Sequence, residues 1–220
     1  MYSRWRMLLK TELMIVSIKS FCDNLANEFN SIADERKQLL DKLSNHVIEN
    51  QIENKTSNLV YICTHNSRRS HFGQIWAAVA SRYYNIDQVN TYSGGTEATA
   101  FNKNAIDSLR RLGFIINPLN QDLNTKYEVI FNENEKAISC FSKLFNDINN
   151  PENDFVAIMT CSDAEENCPF IPGAKMRIGT TYDDPKSFDN TPLQDSKYDE
   201  RCRQIALETL YVFFKVKEKV

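Results

Sequence analysis

A cysteine and an arginine with five residues between them follow a short apolar run in the first third of the chain. The segment reads Cys63-Thr64-His65-Asn66-Ser67-Arg68-Arg69-Ser70. A tight loop of this length can surround one tetrahedral oxyanion with its backbone N–H groups, and a helix that begins after the loop adds the positive end of its dipole. The same field stabilises a cysteine thiolate. The spacing alone occurs by chance, but the apolar strand before it and the amphipathic helix after it favour an oxyanion-binding loop with Cys63 as the nucleophile.

Individual residues of this loop have expected roles. The residues expected to bind the oxyanion are Thr64, His65, Asn66, Ser67, Arg68 and Arg69. Arg69 can close over the anion with two parallel hydrogen bonds from its guanidinium, whereas the Arg68 side chain is expected to point outward. Ser70 is placed to donate a hydrogen bond to the Cys63 thiolate. Asn66 is suited to the left-handed backbone conformation that would hold the loop in shape.

Two more cysteines, Cys161 and Cys168, lie seven positions apart, and the first of them directly follows a predicted strand. Seven residues of rigid helix would hold the two sulfurs about 10 Å apart, whereas a disulfide needs Cα atoms within about 7 Å. A bond between them would therefore require the segment to loop or unwind. Taken alone, the pair is equally compatible with two unrelated cysteines. A zinc site is not expected, because no second pair matches it.

An acidic residue at a fixed turn completes the candidate chemistry. Asp184 precedes Pro185, and a carboxylic acid held in this way can protonate a leaving group. By itself the signal is weak, since Asp-Pro is a common turn. His65 and His71 have no partner at metal-ligand spacing, so we expect surface or hydrogen-bonding roles for both, and we predict neither a metal nor a cofactor.

The elements that must position these residues follow from apolar periodicity. Strands are predicted at 59–62, 89–92, 127–131, 155–159 and 175–178, and helices at 19–50 (with a break near residue 30), 72–84, 104–112, 137–145 and 201–215. Strands that alternate with helices favour an α/β fold, a parallel sheet with helices on both faces. Ligands of such sheets bind beyond the carboxyl ends of the strands, which is where Cys63 and Cys161 are expected.

Size and charge exclude several classes of protein. The chain has 220 residues, enough for one domain with its own core, and a net charge of −3 with no dense basic block, which gives no reason to expect a nucleic-acid partner. No apolar run is long enough for a membrane span. We expect a cytoplasmic protein, in which the six cysteines stay reduced and are buried, metal-binding or catalytic rather than structural disulfides.

Taken together, the segments resemble the low-molecular-weight protein tyrosine phosphatase superfamily, and more closely its thioredoxin-coupled arsenate reductase branch. The resemblance covers roughly residues 59–216. The loop pattern C-x-x-N-x-x-R-S is matched by Cys63, Asn66, Arg69 and Ser70. The reductase pattern C-x-D-A-x-x-x-C-P is matched by Cys161, Asp163, Ala164, Cys168 and Pro169. The acid that precedes a proline in this superfamily maps onto Asp184.

The resemblance implies a three-layer fold with a central four-stranded parallel sheet flanked by helices, a catalytic domain at 58–220 and an N-terminal helical extension at 1–57. It also implies a relay. Cys63 attacks arsenate, Asp184 protonates the departing oxygen, Cys161 then attacks Cys63, and Cys168 moves the disulfide to the surface, where thioredoxin reduces it. The alternative is a phosphatase that hydrolyses phosphomonoesters with Cys63, Arg69 and Asp184 only. Neither reading requires a resident cofactor.

Overall fold

The computed structural model describes residues 14–167 and 170–220 and contains two sheets covered by helices. The strands are β1 (Ser57–Cys63), β2 (Val89–Gly95), β3 (Ile115–Pro118), β4 (Tyr127–Ile130), β5 (Ile138–Cys140), β6 (Phe155–Met159) and β7 (Ala174–Gly179). The helices are α1 (Val16–Ala26), α2 (Asp34–Ile52), α3 (Arg69–Tyr83), α4 (Lys103–Arg111), α5 (Ser162–Asn167) and α6 (Gln194–Lys217). Short 3₁₀ turns lie at Phe29–Ser31 and Pro185–Phe188.

The main sheet has four parallel strands in the order β2-β1-β6-β7. Its two central strands, β1 and β6, are buried almost throughout, as expected for a parallel sheet with helices on both faces. In the register, Ile62 of β1 lies between Gly94 of β2 and Met159 of β6. This arrangement confirms the predicted four-stranded parallel sheet, and it brings the residues after β1, β2 and β6 to one edge.

A second, antiparallel sheet of order β3-β4-β5 was not predicted from the sequence. The helix expected over residues 137–145 is wrong, because its first part forms β5 and pairs with β4, with Ile138 opposite Val129 and Cys140 opposite Tyr127. Apolar residues in this segment have a spacing that suits a helix, but strand pairing with β4 determines the structure.

The helices form one large core around α6 and α3, in which Trp76, Tyr198 and Phe213 are fully buried. Both N-terminal helices join it. The apolar residues of α1 and α2 that belong to this core are Ile18, Cys22, Leu25, Leu40, Leu43 and Val47. Each buried aliphatic side chain of this size contributes roughly 1.5–3 kcal/mol, so α1 and α2 are firmly attached. The predicted break between them is confirmed at Phe29–Ser31. Within the described residues, the helices are all too short or too polar to cross a membrane.

Candidate active site

The loop after β1 has the shape of an anion cradle because four of its carbonyl groups, those of Cys63, Thr64, His65 and Ser67, are bound from outside. The carbonyls of Cys63 and Thr64 accept hydrogen bonds from the N–H groups of Thr96 (3.2 Å) and Glu97 (2.8 Å). The His65 carbonyl accepts from the Thr99 hydroxyl, and that of Ser67 from the Asn102 N–H. With these oxygens bound to the segment after β2, the N–H groups of the loop are left to face its interior, where an oxyanion would lie.

Gly95 makes this packing possible. It pairs with Cys63 at the end of β2, and a Cβ atom at this position would lie 2.3 Å from the Glu97 carbonyl oxygen and 2.6 Å from that of Thr64. A side chain cannot be accommodated at such distances. The loop therefore rests directly on the backbone that follows β2.

Asn66 holds the loop from inside. Its φ angle is +44°, which confirms the left-handed conformation that the sequence predicts for this residue. Its amide Nδ2 donates to Ser70 Oγ at 2.8 Å, and its Oδ1 accepts from the Lys143 backbone N–H at 2.9 Å. Asn66 is fully buried, so both bonds form away from water and contribute to a fixed loop geometry.

The Cys63 sulfur lies 3.1 Å from Ser70 Oγ. Because the Ser70 oxygen already accepts from Asn66, its own O–H is available to the sulfur, and a thiolate at Cys63 would receive that hydrogen bond. Cys63 is only 3% exposed and stands at the start of α3, which begins at Arg69. The predicted relation between Cys63 and Ser70 is therefore present in the structure.

Arg69, the first residue of α3, is held in place by two hydrogen bonds. Its Nη1 donates to the Tyr182 carbonyl at 2.7 Å, and its Nη2 donates to Asp184 Oδ2 at 2.8 Å. The Nε atom is buried and has no hydrogen-bond partner among the described residues. The Nε–H of the guanidinium is thus unused, and its Nη2 is bound to a carboxylate that an incoming anion could replace. The other oxygen of Asp184 accepts from the Lys186 N–H at 3.0 Å.

The Arg68 side chain does not point outward, and that expectation is wrong. Arg68 is buried, its Nε donates to the Tyr198 hydroxyl at 2.9 Å, and its Nη1 lies 3.6 Å from Asp184 Oδ2. The Tyr198 hydroxyl in turn donates to Asp189 at 2.8 Å. No local pattern signals this contact, because Tyr198 lies on α6 and is distant in the chain. Asp184 consequently faces two guanidinium groups rather than one.

Cys161 follows β6 after one intervening residue, Thr160, and is 2% exposed. Its sulfur lies 3.5 Å from Thr64 Oγ1 and accepts from the Ala164 N–H at 3.4 Å. The Thr64 hydroxyl also contacts Asp163 at 2.7 Å, so a residue of the oxyanion loop is in contact with the segment that carries Cys161. Cys63 and Cys161 belong to the same small apolar cluster above the sheet. Cys168 and Pro169 lie outside the described residues.

Two openings lead to these residues. A cleft of about 590 Å³ has on its walls Arg69, Cys161, Ser162, Asp163, Tyr182, Asp183, Asp184, Pro185, Ser187, Phe188, Lys197, Glu200 and Arg201. Cys63 instead lines a much smaller depression. Arg69 and Asp184 are common to both. The ion pair between them therefore stands between Cys63 and the cleft.

The remaining described cysteines are unsuited to thiolate chemistry. Burial raises the pKa of Cys22, Cys140 and Cys202 to about 12 in each case. At neutral pH they remain thiols, and a thiol is a poor nucleophile in disulfide exchange. They also belong to the larger core rather than to the cluster that holds Cys63.

The two histidines have separate environments. His71 is fully buried, with its Nδ1 3.2 Å from Ser93 Oγ, and burial lowers its pKa well below the usual value, with a further lowering by the charge of Lys143. It is a neutral ring at pH 7. His65 is partly exposed, 3.5 Å from Glu97. Among the described residues, His, Cys, Asp and Glu form no group of three that could hold a metal ion.

A buried ion pair that sequence reasoning missed lies behind Tyr182. Arg36 of α2 donates to Glu208 Oε2 from Nε (2.9 Å) and Nη2 (2.7 Å), and Nη2 also donates to the Thr180 carbonyl at 2.8 Å. The Tyr182 hydroxyl donates to the same Glu208 oxygen at 2.8 Å. The Arg36 guanidinium carbon lies 4.9 Å from the centre of the Tyr182 ring. Since the Tyr182 carbonyl binds Arg69, a residue of the N-terminal segment supports the wall of the site.

Comparison with known proteins was made by sequence and by structure. No protein-family model matches the chain. The chain is 31% identical over 134 residues to an arsenate reductase of Bacillus cereus, in an alignment that covers 61% of this chain and 80% of that protein. It is 27% identical over 152 residues to an arsenate reductase of Bacillus subtilis, covering 69% of this chain and 89% of that protein.

Two solved structures were also compared. A low-molecular-weight phosphotyrosine phosphatase from Vibrio cholerae O395 aligns with a TM-score of 0.48 at 13% identity, over 70% of this chain and 93% of the other. An arsenate reductase from Archaeoglobus fulgidus aligns with a TM-score of 0.45 at 13% identity, over 71% of this chain and 98% of the other.

Proposed function

Because the chain belongs to the arsenate reductase family of the low-molecular-weight protein tyrosine phosphatase superfamily, we propose that it reduces arsenate to arsenite with three cysteines and is regenerated by thioredoxin. The observation that carries the proposal is the position of Cys161. A phosphatase needs one nucleophilic cysteine, but here a second buried thiol lies against Thr64 of the oxyanion loop and in one cluster with Cys63.

The first step is substitution at arsenic. Arsenate enters the loop, where the N–H groups of residues 64–69 and the Arg69 guanidinium bind its oxygens. The Cys63 thiolate attacks arsenic and forms a sulfur–arsenic bond, while one oxygen leaves as water after it takes a proton from Asp184. No electrons have been transferred at this stage, because arsenic is still in the pentavalent state.

Arg69 and Asp184 change partners in this step. In the structure they bind each other at 2.8 Å. A bound oxyanion competes for the guanidinium, which gains a two-point contact with the anion and can use the unpartnered Nε as well. Asp184, once released from Arg69, can carry the proton that the leaving oxygen needs. The ion pair thus holds Arg69 and Asp184 at the entrance to the oxyanion loop until arsenate binds.

Reduction occurs in the second step. The Cys161 thiolate attacks the Cys63 sulfur, a sulfur–sulfur bond forms, the sulfur–arsenic bond breaks, and its electron pair stays on arsenic, which leaves as trivalent arsenite. Cys168 then attacks Cys161, which releases the Cys63 thiolate and leaves a Cys161–Cys168 disulfide. The dithiol of thioredoxin reduces that bond by exchange. Two thiols are oxidised for each arsenate that is reduced.

Two cysteine variants test the relay. Cys161→Ser should stop after at most one turnover with arsenate, because no thiol remains to attack the adduct on Cys63. Cys168→Ser should accumulate a Cys63–Cys161 disulfide, visible by peptide mapping after free thiols are alkylated. Cys22→Ala serves as the matched control, since its remote thiol has a pKa of about 12, and it should turn over normally with thioredoxin and thioredoxin reductase.

The phosphatase alternative is decided in the same experiment. Hydrolysis of an aryl phosphate needs only Cys63, Arg69 and Asp184, so both serine variants should keep any such side activity. If the wild type hydrolyses para-nitrophenyl phosphate well, but releases no arsenite and forms no Cys161–Cys168 disulfide in the presence of arsenate, the reductase proposal is wrong and the phosphatase takes its place.

A further inference from the structure

A second cavity, of about 500 Å³, opens between the edge strand β2 of the parallel sheet and β5 of the antiparallel sheet. Its walls are formed by Gln74, Val89, Asn90, Thr91, Tyr92, Lys126, Lys136, Ala137, Ile138, Ser139, Phe141, Lys143 and Asn149. The Gln74 amide joins the two sheets, since its Nε2 lies within hydrogen-bond distance of the carbonyls of Thr91 (3.3 Å) and Ser139 (3.4 Å). The cavity shares no residue with the active-site cleft.

Positive charge is concentrated on this cavity. Lys126, Lys136 and Lys143 line it, and the described residues of its walls include no carboxylate. The ammonium groups of Lys143 and Lys126 lie over the same Phe141 ring, 4.7 and 5.4 Å from its centre. Such cation–π contacts orient both ammonium groups at the cavity wall.

Lys143 is the decisive residue. It is only 4% exposed, and its ammonium group forms no hydrogen bond or ion pair within the part of the chain that the structure describes. Asp147 is the carboxylate that acts on it from a longer distance, and that group already accepts from the N–H and the side-chain amide of Asn149. The ammonium group of this almost fully buried side chain has a cation–π contact with Phe141 but no anionic partner at hydrogen-bond distance, so its donors are available to an anion in the cavity.

The charges and the burial around Lys143 agree with a role in anion binding. Burial lowers the pKa of Lys143; Cys140 and Asp147 act in the opposite sense, and the charge of Lys126 lowers it further. An anion placed between the two ammonium groups would convert their repulsion into two attractive contacts. The gain is larger than at an open surface, because the effective dielectric constant falls with burial.

We propose that this cavity binds a small polyanion that carries a diphosphate group. Lysine is a common phosphate ligand, as a compact charge with three donors, and three lysines around one cavity match a ligand with about three negative charges. The volume exceeds what one tetrahedral oxyanion needs and lies within the usual range for small-molecule sites, about 300–1,000 Å³. Asn90, Asn149 and Ser139 supply further polar groups on the walls. The site is independent of arsenate reduction.

The cavity and the oxyanion loop are joined by one residue. The backbone N–H of Lys143 donates to Asn66 Oδ1 at 2.9 Å, and its carbonyl accepts from the Gly95 N–H, also at 2.9 Å. Both partners shape the loop around Cys63. Any test must therefore separate binding in the cavity from binding in the loop, since both take oxyanions.

Calorimetric titration of the reduced full-length protein and its variants with pyrophosphate, at constant ionic strength, distinguishes binding in the cavity from binding in the oxyanion loop. Arg69→Lys removes the clamp of the loop and should leave pyrophosphate affinity within about twofold. Lys126→Gln and Lys136→Gln should each weaken it by about tenfold or more, the usual range for a hydrogen bond to a charged group. Lys42→Gln, at an exposed lysine of α2 that does not line the cavity, should bind as the wild type does. These two lysine variants are preferred to Lys143→Gln, which also changes a buried position.

ADP and citrate complete the experiment. If ADP binds more tightly than pyrophosphate and Phe141→Leu removes the difference, the diphosphate belongs to a nucleotide whose base packs on that ring; equal binding indicates that the phosphate groups alone are recognised. Citrate binding as tight as that of pyrophosphate would refute the assignment to diphosphate. Loss of pyrophosphate binding in Arg69→Lys together with full binding in the Lys126 and Lys136 variants would place the anion in the loop and overturn the proposal, as would no binding at all.

Discussion

Replacement of Arg36 by methionine tests whether the N-terminal segment takes part in the site. Methionine has a similar length and no charge. The change removes both hydrogen bonds from Arg36 to Glu208 Oε2 and the one to the Thr180 carbonyl. Glu208 then keeps only neutral donors, the Tyr182 hydroxyl and, on its other oxygen, the Gln204 amide.

The expected loss follows from burial. The side chains of Arg36 and Glu208 are 20% and 5% exposed, so the variant leaves an almost fully buried carboxylate without a cation. Breaking a buried ion pair in this way costs about 3–5 kcal/mol. We expect the lower end, about 3 kcal/mol, since Arg36 is partly solvated and two neutral donors remain. With a urea dependence of about 2 kcal/mol per molar, the midpoint of unfolding should fall by roughly 1.5 M.

Activity should fall as well, under conditions where the variant is folded. Tyr182 would lose the guanidinium over its ring, and its carbonyl is the acceptor that fixes Arg69. A displacement of the Arg69 guanidinium by a fraction of an ångström to 1 Å is expected to lower the catalytic rate by roughly tenfold to a hundredfold. The coupled thioredoxin assay with arsenate reports this change as a lower kcat.

Two variants serve as controls. Lys37→Met removes a neighbouring cation of α2 whose partner, Asp34, is 3.7 Å away and 90% exposed, so its unfolding free energy should change by less than about 1 kcal/mol. Glu208→Gln, combined with Arg36→Met, removes the uncompensated charge and should restore at least half of the lost stability. If Arg36→Met unfolds at the same urea concentration as Lys37→Met, or if the double variant restores nothing, the reasoning about the buried pair is refuted.

Three further outcomes follow from the site. Asp184→Asn should lower kcat with arsenate by about 10²–10⁴-fold, whereas Asp183→Asn, at a side chain that is 97% exposed, should change it little; equal losses would show that the acid is misassigned. Arg69→Lys should lose most of the activity, because an ammonium group cannot make the planar two-point contact, and near-normal kcat/KM would contradict that role. Because the pKa of His71 is lowered in the folded chain, this residue binds a proton near pH 6.5 only in the unfolded chain. Stability should therefore fall as pH drops below about 6.5, by up to about 1.4 kcal/mol per pH unit. The urea midpoint of unfolding should depend less on pH between 7.5 and 5.5 in His71→Gln, which lacks this contribution. In His65→Gln its dependence on pH should be the same as in the wild type.

The presence of the oxyanion loop was predictable because the signals that mark it are local in the sequence. Strand, loop and helix are contiguous in the sequence, and the conformation of Asn66 and the contact of Ser70 with Cys63 depend on residues within eight positions of each other. The centre of the parallel sheet was predictable for a related reason, since β1 and β6 each show their own apolar run. Such features need no knowledge of which distant segments meet.

Side-chain partners across the fold could not be predicted in the same way. The Arg68 side chain is buried against Tyr198, which lies 130 positions later in the chain. The Arg36–Glu208 pair joins residues that are 172 positions apart. Nothing in the local sequence marks these pairs. The error at residues 137–145 has the same origin, because the pairing of β5 with β4 overrides a helix-like spacing of apolar residues.

For the proposed relay, the order of the strands bears on which cysteine lies close enough to act on Cys63. β1 lies between β2 and β6, so the segments that follow those two strands lie next to the segment that follows β1. β2 ends in Gly95, where the backbone leaves no room for a side chain, whereas the segment after β6 places the Cys161 thiol against Thr64 of the loop. A cysteine after β7 would lie one strand farther away, roughly 5 Å. Cys22, Cys140 and Cys202 lie in the other core and have raised pKa values. Of the cysteines that the structure describes, Cys161 alone meets the requirement, although 98 positions separate it from Cys63. In the proposed relay a third thiol takes over the disulfide, and Cys168, seven positions after Cys161, is the residue proposed for that step.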